Sequence, residues 1–296
     1  MSTDDSRAIA VAAGTTLLAL TERGGAPAAR NAGSKAAASP WLLIVDTDCY
    51  VDAPGFAKAV GALERPSDTA GLMAVFSRTA PPGPFAGFYK NYFRHLEIAS
   101  MRNPPPTFTS SCFLIRRDAY LAVGGFDERF GTLPTEDAEF NARFSRAGYV
   151  MRYLVEFAFT HDKPMSLARL LREDRQRGTM ITLNMSGRLG EANRGWTVAE
   201  QAVWGLEIAS GTVALALPVA LVVGAPAPLT ITALALVTFV TILRAKLVAA
   251  WRDRGAVFAV RLFAYRALEM AAAAAGILTA VGTMVRSGLR PIIKAR

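Results

Sequence analysis

The chain has 296 residues, of which 52% are apolar and 19% charged, and its formal net charge is +9. Nearly all of that charge lies at the carboxyl end, because ten basic and only two acidic residues follow position 243. A basic segment after a long apolar stretch is typical of a membrane-proximal tail, so we expect a membrane partner and no binding of nucleic acid. The two cysteines, Cys49 and Cys112, are too few for a disulfide framework or a zinc site, and we expect both to be reduced packing residues.

Residues 1 to about 160 alternate helical and strand patterns, as in an α/β domain. The hydrophobic spacing predicts helices over residues 7–13, 28–38, 85–101, 117–122, 136–147 and 166–182, and another that begins at Pro54. It predicts strands over residues 16–20, 41–45, 71–76, 108–115 and 151–159. The aromatic side chains of the 85–101 helix form either a buried face or a wall of an acceptor site, and their helical spacing favours the buried face.

The apolar run Trp41–Val45 is followed at once by Asp46-Thr47-Asp48. A continuous apolar run of this length predicts a strand buried on both faces of a parallel sheet. Asp46 and Asp48 would then lie at its carboxyl end, where open α/β sheets bind their ligands, and would point to the same side. Paired carboxylates suit Mg²⁺ or Mn²⁺ that bridges to a phosphate. The alternative is a strand that ends in an Asx-rich turn.

Further polar residues follow in the second half of this region. Gly124 and Gly125 predict a turn with backbone torsions that other residues avoid. Thr135 is the predicted N-cap of the 136–147 helix, and Asp137 lies in its first turn, where the helix dipole favours the ionised carboxylate. The 166–182 helix is predicted to be amphipathic and basic, and it carries Arg169, Arg172, Arg175 and Arg177.

The carboxyl-terminal part has the pattern of membrane helices. Residues 208–243 contain no charged side chain, well beyond the roughly 20 residues that one span needs. Gly and Pro residues at 224–228 predict a hairpin of two helices, over 206–224 and 229–248. A third apolar stretch at 270–285 either spans, re-enters or lies at the interface, and the choice between two and three spans stays open. The basic loop at 252–266 predicts that the hairpin returns to the cytoplasm.

Five short motifs occur in order along the chain: Ala29–Gly33 (ARNAG), Asp46–Asp48 (DTD), Cys112–Arg117 with Val123–Asp127 (VGGFD), Glu136-Asp137 with Arg143 and Gly148-Tyr149, and His161. Together they resemble inverting, nucleotide-sugar-dependent family 2 glycosyltransferases of the GT-A type, over nearly all of residues 4–180. The resemblance implies an α/β fold with a GT-A Rossmann-like mixed sheet and helices on both faces. With the hydrophobic pattern, it divides the chain into a GT-A domain over 1–183, an amphipathic linker over 184–205, a transmembrane hairpin over 206–249 and a basic segment with a third apolar helix over 250–296.

The resemblance also implies roles for single residues. Asp48 would contact Mn²⁺ or Mg²⁺ directly, and Asp46 would bind the ribose or the water shell of the metal. Asp137 would be the general base for the acceptor hydroxyl. His161 would either complete the metal sphere or be a structural residue. The donor would be bound by Arg30 and by Asp4 and Asp5 at the nucleobase, while Arg175 and Arg177, with Arg172, would either clamp the diphosphate or face anionic lipid.

Two departures from the family pattern stand out. Asp4-Asp5-Ser6 resembles the end of the family's second strand, yet only three residues precede it. We therefore expect either a domain truncated before its first strand and helix or a sheet that lacks that strand. Arg175-Gln176-Arg177-Gly178 lacks the tryptophan of the Q-x-x-R-W motif of processive synthases, which favours the transfer of single sugars.

The leading interpretation is a metal-dependent glycosyltransferase at the cytoplasmic face of the cell membrane, with a nucleoside-diphosphate sugar as donor and a lipid-linked or envelope acceptor. One alternative is a polyprenyl-phosphate sugar synthase, which needs less help from a base. A second is a catalytically impaired membrane scaffold of the same fold. A transporter is not expected, because the apolar spans carry no intramembrane charge to line a path.

Overall fold

The computed structural model describes residues 4–21, 24–65, 67–80, 82–106, 108–130, 136–185, 197–223 and 226–286. The helices are α1 (Ser6–Ala12), α2 (Gly25–Ala36), α3 (Ala53–Leu63), α4 (Phe85–Ala99), α5 (Arg117–Ala122), α6 (Glu136–Arg146), α7 (Leu167–Met185), α8 (Val198–Ala214), α9 (Leu217–Val223), α10 (Pro226–Arg254) and α11 (Ala256–Arg286). The strands are β1 (Trp41–Val45), β2 (Cys49–Val51), β3 (Thr69–Phe76), β4 (Cys112–Arg116) and β5 (Val150–His161). Most predicted elements of the first 185 residues are therefore present, with shifts of a few residues at their ends.

The five strands form one mixed sheet in the order β1-β4-β3-β5-β2. Only β3 and β5 are parallel, and β4 runs antiparallel to both β1 and β3. The prediction that Trp41–Val45 is buried in a parallel sheet is wrong, because β1 pairs antiparallel with β4 and has no second partner among the described residues. Leu42 is buried while Leu43 is 38% exposed. An apolar run thus predicted a strand here but not its place in the sheet.

The predicted strand at 16–20 does not form within the described residues. The segment has no helical or strand structure, and Leu17 and Leu18 are 40% and 44% exposed. The preceding helix α1 buries none of its residues. A strand exists only through pairing with a neighbour, and local sequence cannot supply that neighbour.

Two hydrophobic clusters hold the molecule together. The first lies around the sheet and includes Phe113, Phe126 and Phe140. The second joins the aromatic face of α4 to α10 and α11, with Tyr89 and Phe93 fully or almost fully buried. The aromatic stripe of α4 is therefore core packing, as its spacing predicted, and its partners are the carboxyl-terminal helices.

By length and composition, α10 and α11 are apolar enough to cross a membrane. They form a hairpin at Gly255, whose φ of +85° is a conformation that glycine adopts at little cost. The predicted first span at 206–224 is instead divided, because α8 ends at Ala214 and α9 begins at Leu217. Pro218 lies in the first turn of α9, where its missing N–H costs no hydrogen bond. The third apolar stretch is the second half of α11.

A buried charge cluster fixes α11 to the rest of the molecule. The Arg266 guanidinium lies 3.0 Å from Glu97 on α4, 2.7 Å from Glu207 on α8 and 2.9 Å from Glu269 on its own helix. Its side chain is 2% exposed and stacks over the ring of Phe93. Because a buried charge is tolerated only when it is paired, this cluster couples three helices in one arrangement.

Candidate functional site

The Asp46-Thr47-Asp48 motif forms the tight connection between β1 and β2. The N–H of Cys49 donates to the carbonyl of Asp46 at 3.0 Å, so these residues lie in a turn. The two carboxylates have different partners, because Asp46 accepts from Arg30 at 2.7 Å while Asp48 lies 3.1 Å from Nε2 of His161. The expectation that both carboxylates point to one side of a strand is therefore wrong, since the strand has ended before the first of them. The alternative of an Asx-rich turn describes the backbone.

Arg30 connects the acidic turn to the start of α6. Its Nη2 donates to Asp46, and its Nη1 lies 3.5 Å from Oε1 of Glu136. Ser110 Oγ donates to the same Glu136 oxygen at 3.3 Å. The Arg30 side chain is 7% exposed, and its guanidinium stacks over Phe126. The Arg30 guanidinium thereby contacts two acidic motifs that lie about ninety positions apart in the sequence.

Asp137 lies in the first turn of α6, as predicted, and Thr135 lies outside the described residues. The N–H of Ala138 donates to Oδ1 of Asp137 at 2.8 Å. Burial, followed by the negative charge of Glu136, raises the pKa of Asp137 to about 7. The expectation that the helix terminus keeps this carboxylate ionised at neutral pH is not met, because desolvation and a like charge outweigh the dipole.

His161 is fixed at the end of β5 through its backbone. Oδ1 of Asn91 accepts from the His161 N–H at 2.9 Å, and Nδ2 of Asn91 donates to the His161 carbonyl at 3.0 Å. Next to it, the N–H of Asp162 donates to the carbonyl of Asp48 at 2.7 Å. Burial lowers the pKa of His161, so the ring is neutral near pH 7 and can offer a nitrogen lone pair.

Asn31 explains why two of the motifs occur together. Its Nδ2 donates to the carbonyl of Phe126 at 2.8 Å, and its Oδ1 accepts from the N–H of Phe126 at 2.9 Å and from the Tyr120 hydroxyl at 2.7 Å. A Cβ at Gly125, whose φ is +68°, would lie 2.3 Å from Oδ1 of Asn31. Arg143 donates to the carbonyls of Val123 and Gly125. These residues hold α2 against the turn after α5 and so position Arg30.

The remaining predicted donor-binding residues lie in other places. Asp4 and Asp5 are exposed at the start of α1, and within the described residues no hydrogen bond joins them to Asp46 or Asp48. Arg175 donates to Thr279 of α11 at 3.4 Å. Arg177 pairs with Asp174 at 2.7 Å.

A groove of about 790 Å³ runs beside this group of residues. It lies between the face of α2 that carries Arg30 and the residues from Trp41 to Asp48. Asp46 and Asp48 thus line the groove at the point where β1 ends. The sequence does not mark Asn91 or Ser110 as part of the site, because each acts through a contact with a residue distant in sequence.

The mixed sheet with helices packed around it is a GT-A-like fold. Residues 1–124 match the family model for glycosyl transferase family 2. A mannosyltransferase, PcManGT from Pyrobaculum calidifontis, solved in complex with GDP-Man and Mn²⁺, has a similar fold, with a TM-score of 0.53 and 17% sequence identity. The match covers 94% of this chain and 75% of that chain.

Two curated relatives are similar in sequence. Both are named N-acetylglucosaminyl-diphospho-decaprenol L-rhamnosyltransferase and come from Mycobacterium tuberculosis strains CDC 1551 / Oshkosh and ATCC 25618 / H37Rv. Each is 31% identical over 99 residues, which are 33% of this chain and 31% of the relative. The matched stretch thus spans less than a third of the relatives' length.

Proposed function

We propose that the protein transfers a sugar from a nucleoside diphosphate to a lipid-linked acceptor, with inversion at the sugar carbon and with the help of a divalent cation. The observation that carries this proposal is the bridge from Arg30 to both Asp46 and Glu136. The Arg30 side chain lies between the turn that ends at Asp48 and the helix that begins with Glu136-Asp137, and it contacts both. This contact supports the proposal that a metal-binding corner and a general base belong to one site.

The metal corner consists of Asp48 and His161. A carboxylate oxygen and a neutral imidazole nitrogen 3.1 Å apart suit Mn²⁺, and Mg²⁺ would rely on the carboxylate and on phosphate oxygens. The cation, when bound, would take up charge on the leaving diphosphate. Asp46, neutralised by Arg30, is better placed to orient the turn or to bind the ribose than to bind metal directly.

Asp137 is the proposed general base. A carboxylate with a pKa of about 7 is matched to accepting a proton from a hydroxyl group near neutral pH. Arg177 is the proposed contact for the departing diphosphate, because a guanidinium group matches phosphate oxygens. Arg175, bonded to α11, is the more remote of the two arginines.

The acceptor is proposed to be a sugar carried on a membrane lipid. The two rhamnosyltransferases are named for a sugar linked through a diphosphate to decaprenol, and α10 and α11 are long and apolar enough to hold the domain at a bilayer. By the positive-inside rule, the basic residues near the α10–α11 turn favour the cytoplasmic face. A lipid phosphate as acceptor, as in a polyprenyl-phosphate sugar synthase, is the second candidate and would depend less on Asp137.

The test is to follow labelled sugar from a panel of nucleoside-diphosphate sugars, GDP-mannose among them, into lipid extracts of membranes that contain the protein and Mn²⁺. We expect one donor to label an organic-soluble product, and label that is lost on mild acid would indicate a sugar joined to lipid through a phosphate or a diphosphate. No transfer from any donor, with folded protein, would support the scaffold alternative.

A further inference from the structure

The metal corner contains a third group that could bind a metal, the thiol of Cys49. The ligand atoms of Asp48, Cys49 and His161 all lie within 4.8 Å of one another. Cys49 Sγ is 3.8 Å from Oδ1 of Asp48, and Nε2 of His161 is 3.1 Å from Oδ2 of the same carboxylate. Counting cysteines alone excluded a zinc site, but here one cysteine is joined by two ligands of other types.

The backbone holds these three side chains together without a metal. Cys49 and His161 are direct partners in the β2–β5 ladder, so their side chains lie next to each other on one face of the sheet. The Asp162 N–H to Asp48 carbonyl bond fastens the turn to the same strand. Asn91 fixes His161 from the opposite side of the backbone. Two of the three residues thus lie on paired strands, and the third lies in a turn that is hydrogen-bonded to one of them.

A thiolate changes which cation this corner prefers. Mg²⁺ and Mn²⁺ favour oxygen ligands, whereas a set of one sulfur, one nitrogen and one oxygen is typical of Zn²⁺. In a tetrahedral zinc site with bonds of about 2.0–2.3 Å, neighbouring ligand atoms lie about 3.3–3.5 Å apart. His161 Nε2 and Cys49 Sγ lie 3.1 and 3.8 Å from different oxygens of Asp48, and one ligand atom from each of the three residues lies within 4.8 Å of the others. A zinc ion would draw these three atoms closer together.

We propose that Asp48, Cys49 and His161 form a site for Zn²⁺, which displaces the cation of sugar transfer and thereby inhibits the enzyme. On binding, the thiol loses its proton to solvent and a zinc–sulfur bond forms, while the fourth position is left for water. The inhibition rests on the proposed function, but the binding of zinc by these residues does not.

Cobalt provides a direct probe of the thiolate, because Co²⁺ bound to sulfur absorbs in the near ultraviolet. We expect the full-length protein in detergent to show this charge-transfer band and to lose it when Zn²⁺ is added. Cys49→Ser should abolish the band. Cys112→Ser, which changes the only other cysteine of the sequence, a fully buried one, should keep it. No band in the wild-type protein, or a band that survives Cys49→Ser, would overturn the proposal.

A measurement on the unaltered protein avoids dependence on the fold of a variant. X-ray absorption of the zinc-loaded wild type should show one sulfur at about 2.3 Å, and a first shell of only nitrogen and oxygen would contradict the site. Zinc inhibition is then compared with each variant's own zinc-free rate, and the inhibition constant should rise at least tenfold for Cys49→Ser. Zinc–sulfur binding without any sugar transfer would support the zinc site and refute the proposed function. Sugar transfer without zinc–sulfur binding would support the proposed function and refute the zinc site.

Discussion

Asn91 holds His161 by both polar groups of its backbone, with its side-chain oxygen 2.9 Å from the His161 N–H and its nitrogen 3.0 Å from the His161 carbonyl. This contact joins α4 to the last residue of β5. Because α4 packs on α10 and α11 through its aromatic face, the metal corner is supported by the same helix that contacts the proposed membrane hairpin. Asn91 is therefore a positioning residue and not a ligand.

Asn91→Ala should weaken the binding of Mn²⁺ by about 10- to 100-fold, the usual effect of removing a group that orients a metal ligand. Mn²⁺ binding is measured by electron paramagnetic resonance of the free ion. The matched control is Asn103→Ala, because Asn103 makes the same pair of backbone bonds to Tyr153 on the same strand, at 2.9 and 3.3 Å. If both variants bind Mn²⁺ equally well, Asn91 has only a structural role.

Asp137→Asn should reduce transfer to a hydroxyl acceptor by about 100- to 10,000-fold, because an amide cannot accept the proton. Binding of the donor should be unchanged. Asp118→Asn, which alters an exposed carboxylate paired with Arg116, is the control and should retain the wild-type rate. A variant that keeps more than half of the transfer would show that the acceptor is a phosphate or that the base lies elsewhere.

The rate should rise with pH through about 7 and level off above it, since Asp137 acts as a base only when ionised and its pKa is about 7. Glu136→Gln removes a negative charge that raises this pKa, so its rising limb should move to lower pH. The measurement is kcat/KM against pH for both proteins at saturating Mn²⁺. If the rising limb of the pH profile lay at the same pH in the wild type and in Glu136→Gln, a group other than Asp137 would control the rate.

Arg266→Gln should lower the free energy of unfolding by about 3–5 kcal/mol, because it leaves three carboxylates without their shared cation. Arg116→Gln removes an arginine whose side chain is 46% exposed and should cost about 0–1 kcal/mol. Thermal unfolding in detergent compares the two. Equal midpoints would contradict the view that this cluster couples α4, α8 and α11.

The sequence predicted most helices and strands of the first 185 residues, since their hydrophobic periods are strong. The order of the family motifs also predicts that Asp46–Asp48, Asp137 and His161 belong to one site, and this assignment stays a prediction. The sequence did not predict the antiparallel pairing of β1 or the failure of residues 16–20 to form a strand. Each outcome depends on which strand lies beside the segment. The residues of a run such as Trp41–Val45 do not show whether its neighbour is parallel or antiparallel.

The hydrogen-bond partners and pKa values of the candidate site residues are harder to predict from sequence than the identity of those residues. The partner of Asp46 and the pKa of Asp137 depend on burial and on Glu136, which only the folded chain places there. Asn31 and Asn91 carry no local signal of their role, because each bonds the backbone of a residue at least 70 positions away. The division between α8 and α9 lies just before Pro218, which has no N–H with which to continue the hydrogen bonds of α8.

The most direct test of the central claim is the binding of nucleoside diphosphates to the purified chain with Mn²⁺ and with a chelator, using GDP, UDP and dTDP. We predict that at least one binds in the presence of Mn²⁺ and much more weakly in chelator. We also predict that Asp48→Asn loses the Mn²⁺-dependent part while Asp118→Asn keeps it. Binding of none of the three, or equal binding in Mn²⁺ and in chelator, would contradict a metal–diphosphate site at Asp48.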